Sequence, residues 1–174
     1  MDKYIELPLT KEKVKELKAG DYVYLTGTIY SARDAAHKRI YETIGEGGEI
    51  PFPYKDAVIY YLGPTPAREG MVIGSAGPTT SSRMDKYTPL LLQKGITGMI
   101  GKGKRSQEVI EAMKEYTAVY FAAIGGAGAL LSKCIKKSTV IAYDNLGTEA
   151  IRELYIENFP VIVVIDCGGN NLYQ

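Results

Sequence analysis

The chain has 174 residues, 21 Lys plus Arg against 20 Asp plus Glu, one histidine, two cysteines and no tryptophan. A net charge of +1 leaves no electrostatic footprint for nucleic acid or for an anionic membrane surface. Cys134 and Cys167 make neither a disulfide framework nor, by themselves, a metal site, and the longest apolar stretch, residues 119–131, is too short to span a membrane and contains three glycines. The charged opening MDKYIELPLTKEKVKELK has no apolar signal-peptide core, so the expectation is a cytoplasmic chain forming one domain over residues 1–174.

In chain order, KEKVKEL predicts a short helix that ends by Gly20. DYVYLTGTIYSA alternates as a strand, with Val23, Leu25 and Ile29 among β-favouring Tyr and Thr. RDAAHKRIYETIGEGGEIPFPY starts as a helix, stops in glycines and runs on through two prolines. DAVIYYLGP and GMVIGSAGP predict two further strands. Beyond Arg83 the pattern alternates: helix 84–94, strand 97–100, helix 106–115, strand 118–122, short helix 126–131, strand 139–142, helix 148–158 and strand 161–165. Such alternation predicts an α/β fold whose mixed sheet has βαβ units in its C-terminal half.

In open α/β sheets ligands bind beyond the carboxyl ends of the strands, which here read GSAGPTTSSR, GKGKR, GGAGA, DNLG and DCGGNN. Glycines and hydroxyls at such turns also serve purely structural needs. Four hydroxyls in a row, Thr79 to Ser82, followed by Arg83, exceed what one helix cap requires, and with Lys102 they favour a small anionic ligand. GMIGKGKR falls one residue short of a nucleotide-binding P-loop: Arg105 stands where the Mg²⁺-binding hydroxyl belongs, so nucleotide binding is set aside. Arg33 lies at a predicted helix N-terminus, where a cation opposes the dipole unless it has an anionic partner such as Asp34 or a ligand. His37 is either an acid–base group or a structural histidine one turn into that helix. Cys134, within KCIKK, has cations that would lower a thiol pKa, or it is a small half-buried residue.

The segments ARDAAHKR, GPTTSSRMDKYTPLLLQKG, GMIGKGK and FAAIGGAGALLSKCIK resemble, in order and spacing, the β region of the iron–sulfur hydro-lyases of the class I fumarase and L-tartrate dehydratase type. The resemblance spans about residues 33–167. In that family the β region is a C-terminal half or a separate subunit, and this chain, with its own Met and no cysteine-rich half, looks like the separate subunit. The resemblance implies a swivelling β/β/α domain that closes over a site shared with an α subunit, most simply as an α2β2 assembly. It implies a [4Fe–4S] cluster ligated by the cysteines of that α subunit and not by this chain. Carried over by position, Arg33 and Arg83 match arginines that hold substrate carboxylates. Lys102 matches a substrate-contacting lysine (with Lys104 and Arg105 close enough to substitute), and Thr79 matches a threonine at the carbon that loses its proton. Whether Thr79 is base, relay or positioning group stays open, since a hydroxyl is a poor base without help.

Three functions follow as expectations. The first is the β chain of a fumarate hydratase, reversibly hydrating fumarate to (S)-malate and inactive without its α subunit. The second is the β chain of an L-tartrate dehydratase, yielding oxaloacetate. The third is a non-catalytic dicarboxylate-binding domain.

Overall fold

The computed structural model describes residues 2–62, 67, 69–74, 76–124 and 128–173. Seven strands carry the fold: β1 (Asp2–Glu6), β2 (Tyr22–Ser31), β3 (Val58–Tyr60), β4 (Gly98–Gly101), β5 (Val119–Ala123), β6 (Ile135–Ala142) and β7 (Ile151–Ile165). The helices are α1 (Lys11–Lys15), α2 (Asp34–Gly45), α3 (Thr88–Lys94), α4 (Gln107–Tyr116) and α5 (Gly128–Ser132), with 3-10 turns at Ser81–Met84 and Asp144–Glu149. Strand order is β1-β2-β3-β4-β5-β7-β6, and β7 also pairs with β2, so β2, β3, β4, β5 and β7 close into a five-stranded barrel with β1 and β6 outside it. β2 through β5 run parallel, while β7 is antiparallel to both β5 and β2.

The βαβ expectation holds from β3 to β5, where α3 and α4 make the crossovers. It fails after that. The predicted helix at 148–158 is the first half of the fifteen-residue β7, which pairs with β2 through Gly27↔Ile156 and Ser31↔Arg152, and with β6 through Ser138↔Leu154. Helix-forming Glu, Arg and Leu are overridden there by two long-range ladders. The strand predicted on GMVIGSAGP does not form over 71–74, where Met71 and Val72 are exposed; Ser75 lies outside the described residues. Gly70, Gly74, Gly77 and Pro78 weaken strand pairing here, and Met71, Val72 and Ile73 instead line a hollow with Ile135 and Lys136 at the start of β6 without forming a ladder. β1, which the sequence pattern did not suggest, adds a parallel edge to β2. The helix predicted at 126–131 runs from Gly128 to Ser132, residues 126 and 127 falling outside the described set.

Side chains alternate between two apolar clusters, as the two-residue period of a strand requires. Val23, Leu25, Ile29, Val58, Tyr60, Ile100, Val119, Phe121, Val161 and Val163 belong to one, joined by Val14 of α1, Leu17 just beyond it and Leu131 of α5. Tyr30, Ile59, Met99 and Tyr120 belong to the other, against Ala36 and Ile40 of α2, Leu91 and Leu92 of α3, and Val109 and Met113 of α4. Two helices, α1 and α4, start at side-chain caps. Thr10 and Ser106 accept N–H bonds from Lys13 and Val109. Among the described residues no helix is long and apolar enough to cross a membrane.

Candidate functional site

β2, β3 and β4 are parallel, so the segments that leave their carboxyl ends emerge at one rim of the barrel. Residues 79–81 lie across that rim. Thr79 N–H donates to Tyr61 O at 2.8 Å, Ser81 N–H donates to Lys102 O at 2.9 Å, and Thr80 bridges Lys102 in parallel fashion. Thr79 and Lys102 are thereby set on neighbouring segments. The contact requires glycine at position 101: a Cβ there would lie 2.0 Å from Ser81 Oγ and 2.7 Å from the Tyr61 ring. Lys102 and Lys104 are both exposed, on either side of Gly103, whose φ of +88° turns the chain sharply.

Arg83 and Arg33 meet through Asp34. Arg83 donates from Nε and Nη2 to the two Asp34 oxygens at 2.8 and 2.9 Å, a bidentate fork on a pair that is 48 and 42 % exposed. The hydrogen bond from Arg83 holds the Asp34 carboxyl below its ordinary range, and Asp34 in turn raises Arg83. Arg33, at the N-cap of α2, makes no side-chain capping bond; the Glu149 carboxylate supplies one by accepting from Ala35 N–H at 3.1 Å. Glu149 and Asp34 together answer the charge conflict at this helix end. Arg33 Nε is buried with no hydrogen-bond partner among the described residues, and so is Nε of Arg152 on β7. An unsatisfied buried guanidinium nitrogen costs free energy, and an incoming carboxylate oxygen would relieve it.

The run of hydroxyls divides its labour differently from a simple cap. Thr80 starts the 3-10 turn with no side-chain cap bond, and Ser81 points inward, its Oγ 2.7 Å from Tyr120 OH. The helix expected over 84–94 is correspondingly shorter, α3 beginning only at Thr88.

A buried polar floor lies under these segments. Arg105, its side chain fully buried, donates to Asp85 Oδ1 at 2.7 Å, Tyr61 OH at 3.0 Å, Thr88 Oγ1 at 3.1 Å and Met99 Sδ at 3.4 Å. Its guanidinium carbon also sits 5.2 Å from the Tyr61 ring centroid and 4.8 Å from that of Tyr120. Burial opposes its charge, but Tyr61 and Asp85 together outweigh burial and raise its pKa. Read from the sequence as the residue that breaks the P-loop and as an alternative to Lys102, Arg105 is instead buried among these partners, while Lys102 and Lys104 are exposed.

His37 is buried. Its Nδ1 is 2.8 Å from Arg33 O, and its ring meets the edge of Tyr61 at 5.4 Å. Burial lowers its pKa from 6.5 to about 4, against the opposing pull of the Arg33 carbonyl. The neutral ring is the form that folds, so its contribution to stability is complete above pH 6.5 and is lost as pH falls to about 4. We expect about 3 kcal/mol to disappear over that window. Urea unfolding at pH 7 and at pH 4.5 should show the loss in the wild type, and a His37→Asn chain should show a much flatter response. Equal slopes in the two chains would assign the acid sensitivity elsewhere.

Cys134 corrects an expectation: burial raises its thiol pKa, and Lys136 offsets this only in part. Both cysteines are half-buried free thiols. No three His, Cys, Asp or Glu groups among the described residues are placed to hold a metal ion. The GGAGA turn lies outside the described residues at 125–127.

The fold is a closed mixed α/β barrel with glycine-backed, arginine-bearing turns at one rim, and comparison with known proteins specifies its family. The family model described as Fumarase C-terminus matches residues 2–174. A protein provisionally named L(+)-tartrate dehydratase subunit beta, from Methanocaldococcus jannaschii, is 41% identical over 95% of this chain and 88% of its own length. Fumarate hydratase class I, anaerobic, of Escherichia coli K12 is 43% identical over 86% of this chain, and Fumarate hydratase 2 of Leishmania major 39% over 94%. The chain spans 28% and 29% of those two fumarate hydratases. This chain belongs to the Fumarase C-terminus family.

Proposed function

We propose that this chain is the β subunit of an iron–sulfur hydro-lyase acting on a four-carbon dicarboxylate, and that L-tartrate, dehydrated to oxaloacetate, fits better than fumarate. What supports the choice is the likeness to the Methanocaldococcus jannaschii protein named as a tartrate dehydratase subunit beta, 41% identical over 95% of this chain, beside the family match over residues 2–174. The described residues offer no ligand set for a cluster, which in this reading belongs to the α subunit.

In this reading the 174 residues act as one cytoplasmic domain that swivels over the α subunit in an α2β2 assembly. Arg83 and Arg33 take the two carboxylates, each a planar fork suited to a planar anion. Arg33 is supported by its unpartnered buried Nε, and Arg83 by a fork already aligned on a carboxylate, that of Asp34. Lys102 adds an exposed positive charge beside Thr79, whose hydroxyl serves the carbon that exchanges a proton. The non-catalytic alternative would keep both arginines and dispense with the α subunit.

The test is anaerobic co-purification from the native host through a tag on this chain. The expected eluate is brown, contains a larger partner and dehydrates L-tartrate faster than it hydrates fumarate. The reverse preference would restore the fumarase reading. A colourless chain alone, from cells that retain the activity, would leave only dicarboxylate binding.

A further inference from the structure

The three cationic segments of the rim are not tied to one another by long backbone ladders. Thr79 to Ser81 touch the barrel through one bond to Tyr61 O and one to Lys102 O, and the 3-10 turn that bears Arg83 is four residues long. A short turn and a glycine-flanked lysine are poor platforms for a site that needs sub-ångström placement. What holds them lies beneath. Arg105 grips Asp85, two residues after Arg83, while Ser106 N–H donates to the other Asp85 oxygen at 2.7 Å. The same guanidinium binds the hydroxyl of Tyr61, the residue whose backbone carbonyl receives Thr79 N–H, and stacks on Tyr120. Tyr120 OH in turn meets Ser81 Oγ and donates to Gly103 O at 2.9 Å, one residue past Lys102. Through Tyr61 the cluster also borders His37, which is bonded to Arg33 O.

We propose that Arg105 is the positioning residue of the site: it touches no substrate, but through Asp85, Tyr61 and Tyr120 it fixes the relative placement of Thr79, Arg83 and Lys102. The inference rests on the dicarboxylate reading for what those groups do, and on geometry alone for how they are held. A buried guanidinium with three hydrogen-bonded polar partners and two aromatic faces does what no lysine can, because an ammonium offers no planar fork. The guanidinium, Tyr61, Met99 and Tyr120 are buried in the apolar cluster that α2, α3 and α4 cover, and these low-dielectric surroundings strengthen their bonds.

The experiment uses Arg105→Lys, which keeps the charge, and Asp85→Asn, which loosens the same tether from its outer end should the buried substitution impair folding. Hydrogen–deuterium exchange on the full chain is read at the amides of Thr79, Ser81 and Ser106, and at those of β3, β4 and β5. Steady-state kinetics is read on the complex with its α subunit. The expected result is at least tenfold faster exchange at the three rim amides with strand amides unchanged, and at least a tenfold fall in kcat/KM. Faster exchange throughout the strands would make Arg105 a general stability residue and overturn the proposal. Unchanged rim exchange, or a loosened rim with full kcat/KM, would overturn it as well. If the wild-type complex converts neither tartrate nor fumarate, the hydro-lyase reading falls separately, and the exchange pattern alone decides whether Arg105 holds the rim.

Discussion

Replacing Arg83 with lysine is expected to lower kcat/KM for the dicarboxylate roughly ten- to a hundredfold in an otherwise intact complex. The reason is visible in the free chain, where Nε and Nη2 of Arg83 address both oxygens of Asp34 at once. Asp34 presents the same chemical group as one end of the proposed substrate, so the fork is already shaped for a carboxylate before the ligand arrives. The pair is almost half exposed, which keeps its own energy small and its exchange for a substrate carboxylate easy. Lysine would retain the charge and one contact but lose the second charge-assisted bond, worth about 1.5–3 kcal/mol. Steady-state kinetics on tartrate and fumarate checks the result. An unchanged kcat/KM would remove Arg83 from the carboxylate grip and leave it as a surface partner of Asp34.

Thr79→Val is expected to act on a different parameter, cutting kcat by about 10²–10⁴ while KM moves a few-fold at most. Its backbone is pinned to Tyr61 O and its side chain is half-buried, so valine, equal in shape, leaves the segment where it is. Only the hydroxyl is lost. Thr79→Ser should restore most of the turnover, since the oxygen returns without the methyl group. Near-normal turnover in the valine variant would take Thr79 out of the chemistry and pass the proton to a carboxylate of the α subunit.

Much of the rim was legible because local chemistry writes it. Glycines, hydroxyls and arginines cluster at the ends of apolar runs, and the strands from 58 to 123 were found because parallel strands and their crossover helices each carry their own period. The strand expected at 161–165 is the second half of β7, but its first half was not legible in the same way. Leu154 and Ile156 face inward between exposed Glu153, Tyr155 and Glu157, yet the positive φ of Asn158 and a register shift opposite Leu25 and Gly27 break the alternation. What remains, Glu149, Glu153 and Glu157 four apart with Ile151 and Leu154 three apart, imitates a helix. Arg105 escaped for the opposite reason: its local context named a motif it does not serve, and its partners Asp85, Tyr61 and Tyr120 arrive only with the tertiary fold. The Arg83–Asp34 fork joins residues 49 positions apart and has no local trace at all.

Closure of the barrel depends on β2 meeting β7, a pairing that sets Tyr22 against Ile162 and Thr26 beside Asn158, 132 residues later. During synthesis, then, the first barrel strand must wait for nearly the last, and until β7 emerges from the ribosome β2 and β5 each carry an unpaired edge able to recruit foreign strands. Deleting the final strand would therefore not trim this protein but leave its barrel permanently open.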